Sequence, residues 1–231
     1  MTSGSLRVEV ERDAEAAARR GAVEIAQAAR TAVDANGSFA IAVSGGTTPW
    51  AMFRALSDHD VPWDAVGIWQ VDERIAPRGH DDRGLTHLDA SLPDDARSRI
   101  VAMPVDGLDP SDDVACEAAA SAYSATLPDA FDVIHLGLGD DGHTASLAPG
   151  DPVLEVRDRD VAITGVYRGR RRMTLTYPVL DRALRILWIA TGAPKAEPLR
   201  TLVARDPSIP AARVTTPDQL AIVDLEAAGS L

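Results

Sequence analysis

Three side chains near the middle of the chain could carry out acid–base chemistry. Between Phe131 and Asp151 an apolar run with Val133, Ile134, Leu136 and Leu138 breaks at Gly137, Gly139 and Gly142, and Asp140, Asp141 and His143 lie among the glycines. A neutral imidazole accepts a proton near pH 7, and a carboxylate beside it holds the ring and stabilises its charged form. Glycines let backbone amides approach a ligand closely. An isolated Asp-Gly is usually only a tight turn with a solvated His beside it. Here the turn follows a buried strand, and Asp and His at a strand's carboxyl end are the layout of an α/β active site.

A second stretch supplies what an anion needs. The apolar run Phe39–Val43 enters Ser44-Gly45-Gly46-Thr47-Thr48-Pro49. Strand, glycine-rich turn and helix start together point free amides and the helix dipole at one place. No Gly-Lys-Ser/Thr follows, so this is not a Walker A loop, and the dinucleotide Gly-x-Gly-x-x-Gly pattern is absent. The turn therefore implies a phosphate without implying a nucleotide. Cations stand at other strand ends: Arg74 in Asp72-Glu73-Arg74, Arg172 in the cluster Arg168, Arg170, Arg171 and Arg172, and Lys195 after Gly192. Most of the arginine cluster is expected to be a solvated turn, with one member reaching a bound anion. Lys195 falls in the first turn of a helix, where the dipole disfavours it unless it serves a ligand. His80, Asp81, Asp82 and His87 have no metal-ligand spacing and read as a solvated loop running into a helix.

The elements that must position these groups alternate along the chain. Leu6–Glu11 reads as a strand, and Asp13 as the cap of an Ala-rich helix that Asn36-Gly37 ends. A helix follows Pro49 to Leu56, and another runs from a Ser111 cap to about Thr126. Further strands are expected at 66–71, 100–103, 161–166, 173–177 and 184–191, with an edge strand at 220–225. Alternating strands and helices imply a mostly parallel sheet with helices on both faces. No internal repeat or linker interrupts the 231 residues, so 1–231 is expected to be a single α/β domain.

Composition narrows the partners. The net charge of −12, from 35 acidic and 23 basic residues, argues against nucleic acid and anionic membranes. Cys116 is the only cysteine, so no disulfide framework or zinc site is available, which fits the cytoplasm. No apolar run reaches the roughly 18 residues of a membrane span, and the N-terminus has no signal-peptide core.

Together, Ser44–Pro49, Asp72–Arg74, Gly137–Gly150, and Arg172–Leu180 with Gly192–Lys195 resemble the 6-phosphogluconolactonase family, in that family's order and over about residues 40 to 200. The resemblance implies a three-layer α/β/α sandwich with a Rossmann-like sheet. It also implies a carboxylic ester hydrolase that opens 6-phospho-D-glucono-1,5-lactone in the oxidative pentose phosphate pathway. His143 would be the general base and Asp141 its orienting carboxylate. Ser44, Gly45, Gly46, Thr47, Asp72, Arg74, Gly139, Gly142, Arg172 and Lys195 would line the substrate and phosphate site. The partner would be a small sugar-phosphate lactone, with no metal and no cofactor, and the chain a monomer or weak homodimer. Two departures stand out: Ala148 where the family often has Phe, and 82–87 where it often carries Asn. The related glucosamine-6-phosphate deaminases resemble His-Ile-Ala-Phe-Asn-Glu-Pro after the Asp-Gly-His; Ala148 replaces that Glu and removes a carboxylate. A non-catalytic sugar-phosphate sensor is the other alternative, but residues 1–37 hold no helix-turn-helix and the charge disfavours DNA. Ser146 follows closely, but without Gly-x-Ser-x-Gly no serine-esterase triad is expected.

Overall fold

The computed structural model describes residues 6–229 and 231; residues 1–5 and 230 of the expected 1–231 unit lie outside the described residues. The chain opens with β1 (Leu6–Glu11) and α1 (Ala14–Asn36). Asp13 caps α1 by accepting the Ala16 amide at 2.7 Å, and Gly37 ends it in the left-handed conformation, both as expected. Then come β2 (Phe39–Val43), α2 (Thr47–Ala55), β3 (Val66–Gln70), β4 (Asp72–Arg74), α3 (Gly84–Ser91) and α4 (Asp94–Arg97). The second half holds β5 (Ile100–Val101), α5 (Asp113–Ser124), β6 (Val133–Gly137), β7 (Val161–Ile163), β8 (Arg172–Leu175), α6 (Tyr177–Asp181), β9 (Ile186–Ala190), α7 (Ala196–Val203), β10 (Gln219–Asp224) and α8 (Leu225–Ala228).

Seven strands form one parallel sheet in the order β1-β10-β9-β6-β2-β3-β5, and β4-β8-β7 form a small antiparallel sheet. From β2 the chain runs outward to β3 and β5, and from β6 it runs the other way to β9 and β10. The order therefore reverses between β2 and β6, where a doubly wound sheet opens a crevice at its carboxyl edge.

Both faces are covered. On β9, Leu187 and Ile189 pack with α1 and α2 residues such as Ile25 and Met52, whereas Ile186 and Trp188 face the other layer with Tyr123 and Leu199. β10 divides in the same way, with Leu220 and Ile222 on one side and Ala221 and Val223 on the other. Burial on both faces explains the continuous apolar strands. A three-layer α/β/α arrangement with a mostly parallel sheet results.

The structure corrects four local expectations. β10 is interior, paired with β9 and β1; the edge on that side belongs to β1, none of whose residues is fully buried. Asp112, not Ser111, caps α5, because Ser111 is held by Asp109. The strand expected through 177 stops at Leu175, since Pro178 suits the first turn of α6. Lys195 sits in a short 3₁₀ turn, Ala193–Lys195, immediately before α7.

Candidate active site

The carboxyl ends of β2, β3, β6 and β9 surround a cleft of about 790 Å³. Ser44, Gly45, Gly46, Thr47, Asp72, Arg74, Gly139, His143, Arg172 and Lys195 all line it, although they come from five separate stretches of chain. Two expected members do not. Asp141 reaches the cleft only through His143. Gly142 turns the chain with φ +79°, and a Cβ there would meet Ile209 at 2.5 Å, so its place is in the loop's geometry.

The loop after β6 is closed by its own backbone. The Gly139 amide donates to the His143 carbonyl at 2.8 Å, and the Thr144 hydroxyl donates to the Gly137 carbonyl at 2.9 Å. This folds the imidazole back over Gly139. Asp141 Oδ1 then lies 2.5 Å from His143 Nδ1 and also accepts the His143 amide at 3.1 Å. A bond to the carboxylate places the ring proton on Nδ1 and leaves the lone pair on Nε2. Nε2 has no hydrogen-bond partner among the described residues. Burial pushes the Asp141 carboxyl up, but hydrogen bonds from Tyr167 and His143 outweigh it and hold the group at about 2. Asp141 is therefore a fixed anion at neutral pH. Asp140 is exposed and pairs with Arg168 at 3.0 Å.

At the start of α2 the backbone amides of Gly45, Gly46, Thr47 and Thr48 donate to nothing among the described residues; the helix's own bonds begin with Trp50 to Gly46 at 3.0 Å. Four free donors at a helix N-terminus attract an anion. The Ser44 amide is turned away: it donates to the His135 carbonyl and, at 3.3 Å, to His135 Nδ1. His135 is wholly buried beneath the loop, and burial pushes its imidazole down to about 3, so it is neutral. Ser44 instead offers its hydroxyl, which is buried at the cleft without a partner among the described residues. Thr48 and Thr191 share a hydrogen bond of 2.6 Å that ties α2 to the end of β9. Asp224 accepts the Gly192 amide at 2.9 Å, fixing the turn that carries Lys195.

The arginine cluster divides by partner. Arg170 pairs with Asp82, and Arg171 with Asp113; both are structural ties. Arg172 is buried and turns into the cleft, 3.4 Å from the Ser146 hydroxyl and 3.9 Å from Asp72. Burial pushes its guanidinium below the usual arginine value. Ser146 donates its hydroxyl to Asp72 and so belongs to this network. Arg74 donates to the Asp82 carbonyl at 2.9 Å.

Sequence reasoning left several neighbours without a role. Glu73 is buried and accepts the Arg74, Gly84 and Leu85 amides, each at 2.8 Å, while Arg83 stands 3.2 Å away. It thereby anchors α3, and Arg83, expected in a solvated loop, is buried with it. The Asp-Glu-Arg motif itself was the available signal. His80 and His87 do not converge: His80 faces Asp82, and His87 meets the Asp81 carbonyl. Tyr167 donates to Asp141 Oδ2 at 2.7 Å, a contact across 26 positions that no spacing announces. Ala148 is buried and does not line the cleft.

A parallel sheet whose carboxyl edge carries free amides, cations and a held imidazole is the open crevice of a doubly wound α/β protein. Residues 12–223 match the family described as glucosamine-6-phosphate isomerases/6-phosphogluconolactonase, and the chain belongs to that family. It is 35% identical over 189 residues to a 6-phosphogluconolactonase of Synechocystis, covering 75% of each chain. It is 36% identical over 206 residues to one of Rattus norvegicus, covering 82% of this chain and 79% of that protein. In fold it resembles the 6-phosphogluconolactonase of Trypanosoma brucei, with a TM-score of 0.85, 22% identity, and 99% and 100% of the two chains covered.

Proposed function

We propose that this chain hydrolyses 6-phospho-D-glucono-1,5-lactone to 6-phospho-D-gluconate, the lactone-opening step of the oxidative pentose phosphate pathway. The observation that carries the reading is the imidazole of His143. Asp141 fixes its Nδ1 at 2.5 Å, and its Nε2 stays free in the cleft that also holds Arg172 and the open amides of α2. Nε2 takes a proton from water as the oxygen attacks the lactone carbonyl. Asp141 stabilises the imidazolium that forms. Charge moves to the carbonyl oxygen, where a cation or amide donor facing the cleft stabilises it. The ring oxygen leaves and takes the proton back from Nε2, so the imidazole ends as it began. The amides of Gly45–Thr48, with Arg74, Arg172 and Lys195, hold the 6-phosphate and orient the ring, which turns binding into rate.

Residues 1–231 act in this reading as one unit, a monomer or weak homodimer in the cytoplasm, without nucleic-acid or membrane partners. The test is proton release from freshly prepared lactone at pH 7 in a pH-stat, with the spontaneous rate subtracted. No acceleration over the spontaneous rate refutes the assignment. Position 148 carries no carboxylate, so ammonia release from glucosamine 6-phosphate is expected to be absent; rapid release would replace lactonase with deaminase.

A further inference from the structure

We infer that Tyr167 is a positioning residue for the Asp141–His143 pair, locking the carboxylate in the orientation that fixes the imidazole. The inference rests on the lactonase reading for its kinetic consequence, but its geometry stands apart from it. Asp141 Oδ1 takes both of its bonds from the same loop, the amide and the ring nitrogen of His143. Asp141 Oδ2 has one partner among the described residues, the Tyr167 hydroxyl at 2.7 Å. A carboxylate held through one oxygen can pivot about its Cβ–Cγ bond, and a bond to the second oxygen stops that rotation.

The hydroxyl is brought there by a different part of the chain. β7 and β8 are joined by a turn in which the Tyr167 amide donates to Arg170 at 2.9 Å and the Arg170 amide donates back at 3.2 Å. The two central residues, Arg168 and Gly169, have φ of +50° and +80°, which suits a tight hairpin connection. Arg168 ties the turn to Asp140 at 3.0 Å. The guanidiniums of Arg168 and Arg172 lie 5.2 and 5.1 Å from the Tyr167 ring centre. Its edge meets the His143 ring, with centres 5.3 Å apart. The aromatic ring is thus wedged between the imidazole and the cation that turns into the cleft. Burial, and then the hydrogen bond to Asp141 and its charge, push the phenol up to about 12, so it remains a donor throughout the working range. The hydroxyl also stands 3.2 Å from His143 Nδ1, and Tyr167 does not line the cleft, so it acts on the Asp141–His143 pair and not on the substrate.

Tyr167→Phe keeps the ring and both guanidinium contacts and removes only the hydroxyl. The expected result is a fall in kcat of about tenfold to hundredfold, the range seen when an orienting hydrogen bond behind a functional side chain is lost. KM and the Kd for 6-phosphogluconate stay within about twofold, since no ligand contact changes. A second readout needs no turnover. The His143 Nδ1 proton, assigned by its absence in His143→Ala, gives a downfield NMR signal in the parent, and that signal broadens or disappears in Tyr167→Phe. A variant with kcat within twofold of the parent overturns the inference, as does a loss expressed wholly in KM. If the parent fails to accelerate lactone opening, the lactonase reading falls and the NMR signal alone decides: unchanged in Tyr167→Phe, it removes Tyr167 from the site.

Discussion

Gly139→Ala tests whether His143 works from the position observed. A Cβ at residue 139 would lie 2.0 Å from His143 Nδ1, 2.4 Å from its Cε1 and 2.7 Å from Asp141 Oδ1. Ordinary contact begins near 3.4 Å, so the ring must retreat by about 1.4 Å. It cannot do so by moving its backbone, which the Gly139 amide holds through the His143 carbonyl at 2.8 Å. The ring must rotate, and rotation breaks the 2.5 Å bond to Asp141. A misplacement of about 1 Å at a reacting group costs on the order of 10²-fold in rate, or roughly 2.7 kcal/mol of barrier. The fold itself is retained. Gly139 is not among the residues with positive φ, so its backbone accepts an alanine, and the gain of about 0.4–1 kcal/mol from a restricted unfolded chain partly offsets the loss of the bond to the charged Asp141, about 1.5–3 kcal/mol. The melting temperature should therefore fall by no more than about 10 °C, leaving a folded enzyme at assay temperature. Gly137→Ala is the matched comparison at the same strand end: a Cβ there meets nothing within 4 Å, and its loss should be at least about tenfold smaller. The assay is pH-stat hydrolysis after subtracting the spontaneous rate, beside a thermal melt. A folded Gly139→Ala enzyme with kcat within about threefold of the parent would refute the reasoning, since His143 would then have no need of its observed place.

His143→Ala should lower kcat by about 10²–10⁴ while leaving 6-phosphogluconate binding largely intact; turnover near the parent's would remove the imidazole from the mechanism. Arg172→Ala should act mainly through KM, raising it about tenfold to hundredfold for the loss of one charge-assisted contact; an unchanged KM would place the phosphate elsewhere. Asp141 makes stability depend on pH in a defined window. Its folded value of about 2 lies below the ordinary 3.8, so its contribution is complete above about pH 4 and disappears as pH falls through about 2. The difference in melting temperature between parent and Asp141→Asn should close between those limits, and a constant difference down to pH 2 would contradict the assignment.

How much of this was legible in the sequence depended on whether the signal was local. The strand ends at Val43, Gln70, Gly137 and Ala190 follow from apolar runs meeting glycines or charges, and the cleft follows from those ends once the sheet is parallel. Strand order is different, because it depends on long-range pairing. The available clue was two-sided burial: residues 220–223 are all apolar, which marks an interior strand, whereas 6–11 alternate and mark an edge. Tyr167 illustrates the other limit. Its role needs two left-handed residues at a hairpin tip to swing a side chain onto a loop 26 positions away, and only the folded backbone brings them together.

The overall charge of −12 is unfavourable for an anionic ligand, and the pairing pattern shows how the site escapes it. Arg170, Arg171, Arg182 and Arg185 are each neutralised by a carboxylate within 3.0 Å. Of the four cations that line the cleft, Arg168 is paired with Asp140 at 3.0 Å, and the other three are not so neutralised. Lys195 and Arg74 form no ion pair among the described residues, and the nearest carboxylate to Arg172 stands at 3.9 Å and is shared with the Ser146 hydroxyl. Distant carboxylates are screened over about 8 Å at physiological salt, so what an entering phosphate meets is the local balance. That balance is three under-neutralised cations and four free amides, set against Asp72 and the Arg168-paired Asp140, which also line the cleft. Many of the acidic residues thus hold structural arginines in place, and under-neutralised positive charge remains at the cleft.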